Sequence, residues 1–257
     1  MLDKSLHKIM VNCRWNIKDA LKVFLVYLAL MCAGLPVIMQ CIHTVLGYTT
    51  LSVEGRRGIV LFVSLSINIF IAAYVLYIVC IKYRHPVAAV GLSLANASGN
   101  VKLGIKRYLI IVPLIILAGF VVNQIAAYYG VTPEMQDVVQ WVLEEQSIFI
   151  LASLIFFGIF IAPLIEEIIF RGFLQPALRN TLGGRYAVVA SASLFAAVHM
   201  DVFAALQIFI LGMLLGYLYE KTQTLVASVV VHVLHNSFTL VFLLFFKFFL
   251  KGKTPVF

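Results

Sequence analysis

Apolar runs long enough to cross a lipid bilayer recur along the whole chain, and they decide what it can fold into. One of them, residues 148–162, reads IFILASLIFFGIFIA. Only 12% of the residues are charged and 63% are hydrophobic, where soluble domains have about a quarter charged and about half apolar. Mean hydropathy is +1.04. Such runs predict membrane spans. Backbone polar groups find no water inside a bilayer, so only helices and closed barrels can span it. The runs are continuous rather than alternating, which excludes a barrel. The fold class is therefore all-α, a polytopic transmembrane helical bundle.

Spans are predicted at about 20–45, 58–81, 108–128, 148–170, 186–200, 202–219 and 225–249. That is seven membrane helices, with eight as the alternative count. The whole chain, 1–257, reads as a single integral membrane domain. The first apolar run outlasts a signal peptide and is predicted to be retained. Lys4, Lys8, Arg14, Lys18 and Lys22 precede or open it, and Lys82, Arg84, Lys102, Lys106 and Arg107 fill the segment 82–107. The segment 129–147 has no Lys or Arg but carries Glu134, Asp137, Glu144 and Glu145. By the positive-inside rule the N-terminus is cytoplasmic, and Arg179, Arg185 and Lys221 agree. Lys247, Lys251 and Lys253 disagree under a seven-span count. The net charge of +8 is thus a property of loops rather than a nucleic-acid footprint. Cys13, Cys32, Cys41 and Cys80 form no CxxC pair and read as ordinary membrane-helix residues, without disulfide or metal roles. Residues 132–146 predict an interfacial helix starting at Thr132 and Pro133, and 86–103 predict an irregular linker.

Polar residues interrupt three apolar stretches. In PLIEEIIFRG, Glu166, Glu167 and Arg171 sit among Ile and Phe. An Asp, Lys or Arg at mid-membrane costs roughly 2.5–3.5 kcal/mol, so three such groups need partners. Glu167 and Arg171 are four apart with the acid first, the better orientation for a helical ion pair. Glu166 points about 100° away and is left for another neighbour. A helix end with snorkelling charges is the simpler alternative. His199 closes the run SLFAAVHMD, where a helix-end or packing role is the plain explanation, and Asp201 suits the N-cap of the next helix. His232 and Asn236, in VVVHVLHNSF, share one helix face, where interhelical hydrogen bonding is the plain explanation. Three polar islands on three spans are each other's cheapest partners. A carboxylate, two imidazoles and an amide meeting in one cavity would suit general-base hydrolysis with a stabilised oxyanion.

These residues form EExxxR (Glu166, Glu167, Arg171), FxxxH (Phe195, His199) and HxxxN (His232, Asn236). In this order, on successive membrane segments, they resemble the CAAX protease and bacteriocin-processing family, the type II CAAX prenyl endopeptidase-like intramembrane glutamate proteases. The resemblance covers roughly 148–245, the implied catalytic core, and leaves 1–147 without an assigned role. It implies endopeptidase action on a membrane-associated or lipidated peptide or protein, without metal or other cofactor. By motif position, Glu166 is the general base, His199 helps orient and activate water, and His232 and Asn236 stabilise the oxyanion. Glu167 and Arg171 hold the site together.

Two other readings compete. Glu166, His199 and His232 could hold zinc, though HExxH is missing and Arg171 would repel a cation. The same polar set could serve a transporter or a non-catalytic binding or immunity protein, though no inverted repeat is visible. The expected partners are the lipid bilayer and the peptide substrate. Chain length and short loops suggest a prokaryotic plasma membrane. Substrate prenylation and oligomeric state have no sequence signal.

Overall fold

The computed structural model describes residues 15–46, 52–133 and 136–249, and their regular structure is helical throughout. Helix α1 runs Ile17–Ala29, widens into a π turn at Leu30–Gly34 and continues as Leu35–Leu46. Helix α2 is Val53–Tyr77, extended by a π turn at Ile78–Lys82. Helix α3 is Ala97–Tyr128, and α4 is the short Asp137–Glu144. Helix α5 strings together Ile148–Phe156, Ala162–Glu167 and Gln175–Leu182 through π turns at Phe157–Ile161 and Ile168–Leu174. Then come α6, Gly184–Ala197, α7, Ala205–Thr222, and α8, Val226–Phe249.

Five stretches are long and apolar enough to cross a membrane: Ile17–Ile42, Val53–Lys82, Ala97–Tyr128, Ile148–Leu182 and Val226–Phe249. The chain folds as a helical membrane bundle. The spans expected at 186–200 and 202–219 correspond to α6 and α7. These do not reach that standard, since α6 has 14 residues and α7 ends in Tyr-Glu-Lys-Thr. They form a hairpin whose members pack on α5, α3 and α8.

Prolines shape these helices without stopping them. Among the described residues, three of the four π turns close on the residue directly before a proline: Leu35 before Pro36, Ala162 before Pro163, Gln175 before Pro176. In each, the closing N–H reaches back five residues, to Leu30 O, Phe157 O and Phe170 O respectively. Proline lacks an N–H, and its ring collides with the carbonyl four residues back. One extra residue in the preceding turn moves that carbonyl aside. Helix α5 therefore passes Pro176 and ends at Leu182, twelve residues beyond the predicted limit of 170.

Other boundaries shift for local reasons. The linker expected over 86–103 is a 3-10 turn at Val87–Val90 followed by α3 from Ala97. Its Val90 is buried against Gly172, where a Cβ would meet Val90 O at 2.5 Å. The interfacial helix begins at Asp137 rather than at Thr132 and Pro133, and is anchored by the buried Val142. Glu134 and Met135, like Cys13, Lys4, Lys8, Arg14, Lys251 and Lys253, lie outside the described residues.

Charges gather at the two ends of the bundle. At one end Lys82 Nζ meets Asp19 at 2.8 Å, and Arg179 meets Glu220 at 3.3 Å. At the other, Arg57 bridges Glu144 (2.7 Å) and Glu145 (3.2 Å). Lys247 donates there to Val142 O at 2.9 Å and to Glu145 O. This accounts for the lysine that broke the charge pattern: it caps α4 beside an acidic pair.

Candidate active site

Glu166 and Glu167 occupy the short α-helical stretch of α5 between its two π turns. Glu167 and Arg171 are both fully buried, and Arg171 Nη1 donates to Glu167 Oε1 at 2.9 Å. Snorkelling to a helix end is thereby excluded for this arginine. Its guanidinium also donates to Gly212 O on α7 at 3.3 Å and lies over the Phe195 ring at 4.3 Å. The aromatic face adds a cation–π attraction to this fully buried guanidinium.

His232, on α8, joins both carboxylates. Its Nδ1 is 3.0 Å from Glu167 Oε1 and its Nε2 is 3.7 Å from Glu166 Oε2. Paired with Arg171, the Glu167 carboxylate oxygen accepts, so Nδ1–H is the donor. The Glu166 separation is longer than a hydrogen bond. Glu166 is therefore not consumed by its neighbour, and its side chain, 18% exposed, is the open member of the pair. The two adjacent glutamates differ by environment: one is sealed and neutralised, the other accessible.

His199 ends α6. Its Nδ1 is 2.7 Å from Phe195 O, one turn back. A carbonyl only accepts, so Nδ1–H donates, and in the neutral ring Nε2 keeps its lone pair. Among the described residues His199 joins the carboxylates through Phe195, whose ring contacts His199 (4.8 Å), His232 (5.6 Å) and Phe170 (5.1 Å). The Phe of FxxxH thus has a structural reason: it is the apolar hub of the polar site.

Asn236 lies one turn beyond His232 and spends an amide N–H on Gly158 O at 2.8 Å. In the register of the π turn, the residue due to donate to Gly158 O is residue 163, which is proline. The asparagine takes the carbonyl that Pro163 leaves free and pins α8 to α5. Asp201 accepts from the N–H groups of Phe203 and Ala204 before α7. His235 turns the other way, its Nδ1 3.4 Å from the Tyr108 hydroxyl.

Helix α1 reaches this site, which the sequence reading left without a role for residues 1–147. Trp15 stacks on Phe173 and donates to Phe173 O at 2.8 Å, and Phe24 meets Phe170 edge-on. Cys32 Sγ lies 3.8 Å from Met200 Sδ, beside His199. Cys32, Cys41 and Cys80 are free thiols. No sequence pattern marks such long-range contacts. Among the described residues no group of three or more His, Cys, Asp or Glu side chains is arranged to hold a metal ion.

Residues 147–238 match the family model described as type II CAAX prenyl endopeptidase Rce1-like. The match encloses all three motifs and supports a CAAX-type intramembrane protease in general. No curated protein and no solved structure matches the chain. Over residues 147–238 the match supports an assignment to the CAAX protease and bacteriocin-processing family.

Proposed function

We propose that the protein is an endopeptidase that hydrolyses a peptide bond in a membrane-associated or lipidated peptide, with Glu166 as the base that activates water. The observation that carries this reading is the division between the two glutamates: Glu167 is committed to Arg171 and His232, while Glu166 faces His232 Nε2 unbonded. Glu166 takes a proton from water as the hydroxide oxygen bonds to the scissile carbonyl carbon. The carbonyl oxygen becomes an oxyanion, and a protonated His232 Nε2, with the second N–H of Asn236, is its donor pair. The C–N bond then breaks, and Glu166 returns its proton to the leaving amine. His199 Nε2 accepts a hydrogen bond from the attacking water and orients it. Glu167 and Arg171 fix the direction of His232. No metal is assigned to this cycle. The N-terminus and the basic end of the bundle are assigned to the cytoplasm, and the membrane to a prokaryotic plasma membrane.

The test is a cleavage assay on purified protein in detergent, using lipidated and unlipidated hydrophobic peptides, with and without EDTA. Mass spectrometry should find one cut site per cleaved peptide, in equal yield with the chelator. Glu166→Gln should lower kcat by about 10⁴-fold or more and His199→Ala by about 10²-fold. Equal rates in wild type and Glu166→Gln would end this reading, and loss of wild-type activity in EDTA would favour a metalloprotease.

A further inference from the structure

Helix α1 brings one more polar side chain to the glutamates. It packs on the π turn Ile168–Leu174 of α5. Trp15 meets Phe173 and Phe24 meets Phe170, so the two helices run antiparallel. Tyr27 lies three residues, or about 4.5 Å, beyond Phe24 on this face. In the opposite direction on α5, Glu166 lies four residues, or about 6 Å, from Phe170. The register therefore sets Tyr27 beside Glu166. Electrostatics give the same neighbours: Glu166 and Cys32 are the ionisable side chains that bear on the Tyr27 hydroxyl. Cys32 in turn touches Met200, the residue after His199.

Tyr27 belongs to the core and is only 6% exposed. Buried phenols ordinarily find a hydrogen-bond partner. Among the described residues nothing bonds to the Tyr27 hydroxyl, yet its oxygen is not sealed from solvent. It keeps a small opening next to Glu166, the accessible carboxylate of the pair.

We propose that Tyr27 is a further catalytic residue, whose hydroxyl donates a hydrogen bond to the attacking water. The role rests on the hydrolase reading. In that reading the water gives one proton to Glu166 and turns the other toward His199 Nε2. One lone pair of its oxygen attacks the scissile carbon, and the second is free to accept. A phenol is protonated at neutral pH and can supply that donor. The bond tightens as Glu166 draws the proton away and charge builds on the oxygen, so it lowers the barrier rather than holding substrate. Tyr27 keeps its own proton throughout.

The test uses the full chain in detergent with whichever peptide of the panel wild type cleaves fastest. Tyr27→Phe removes the oxygen and leaves the ring in the core. It should lower kcat about 10-fold, with KM and the thermal midpoint little changed. Fluorine-19 spectra of protein carrying 3-fluorotyrosine at position 27 report on the surroundings of the hydroxyl without turnover. That signal should move in Glu166→Gln and stay in place in Arg57→Gln, a change at the acidic end of the bundle. Wild-type kcat in Tyr27→Phe overturns the role. A raised KM with unchanged kcat makes Tyr27 a binding contact and overturns it as well. A fluorine signal indifferent to Glu166→Gln removes the juxtaposition on which the role depends. If wild type cleaves no peptide, the hydrolase reading fails and the role falls with it; if wild type cleaves and Tyr27→Phe matches it, the role alone falls.

Discussion

Helices α1–α3 and helices α5–α8 solve the same problem, burying a chain in lipid, with opposite use of polar side chains. Among the described residues, α1–α3 bury only Asn68 and Asn100 as polar groups. Asn68 donates to Ser64 O of its own helix at 2.9 Å, and Asn100 to Ala95 O and to Thr224. Helices α5–α8 bury Glu167, Arg171, Gln175, Ser191, Ser228 and His232, and from Glu167, Arg171 and Gln175 bonds cross to a second helix. A local bond survives if neighbouring helices shift; a bond between helices fixes their positions. The first half thus leans on packing, with Asn100 tied to Thr224, while Glu167, Arg171, Gln175 and His232 of the second form a network in which each holds a neighbour.

The sharpest way to break this contrast is to remove one polar group from each half. Arg171→Met strands Glu167 without its cation in a sealed site, and losing one partner of a buried pair costs about 3–5 kcal/mol. Asn68→Leu removes a bond within a single helix and should cost less than about 1 kcal/mol. Unfolding midpoints in detergent, read by the same probe, compare them directly. Equal losses would mean that the buried charges near the site are no more constrained than an ordinary buried amide.

A smaller effect sharpens the argument about proline. Asn236→Leu leaves Gly158 O without its donor and should cost about 1–2 kcal/mol. Pro163→Ala supplies a backbone N–H where the π turn lacks one. In the double variant that N–H can take over Gly158 O, so the two changes together should cost less than their sum. Strict additivity would show that the asparagine bond and the missing proline N–H are unrelated.

The contrast also explains what could be read from sequence. The ordered motifs were legible because intramembrane Glu, Arg and His are rare enough to stand out against Ile and Phe. The pairing of Glu167 with Arg171 followed from four-residue spacing alone. Gln175 carried the same signal at the next step of the same stripe, beyond the predicted span limit of 170 and directly before Pro176. What the sequence hides is that a widened turn carries a helix through proline. Contacts of Phe24 and Cys32 with the site, and of Gly216 with Gln175, depend on how helices distant in sequence pack, and no local pattern encodes them. Arg57 illustrates the same limit at the bundle end: its partners, Glu144 and Glu145, lie far along the chain.

That end-of-bundle cluster provides the mildest test. Burial raises the Glu145 carboxyl, but the Ser147 N–H at 2.8 Å, the Arg57 guanidinium at 3.2 Å and the Gln146 N–H at 3.0 Å outweigh it and hold the group below the ordinary carboxylate range. Glu144 is held low by Gln140 and then by Arg57. A carboxyl whose folded value lies below its unfolded value contributes stability that is complete above the unfolded value, about pH 4.3, and is lost as pH falls through the folded one. Arg57→Gln should therefore lower the thermal midpoint at neutral pH by less than Asn236→Leu does, because Glu145 keeps its Gln146 and Ser147 N–H donors and the Glu144 partner is half exposed, where pairs contribute little. The gap between the variant and wild type should then close as pH falls below about 4. A gap that stays constant down to the acid limit of the detergent system would assign Arg57 a packing role, and the two bundle regions would then differ less in their use of charge than their geometry implies.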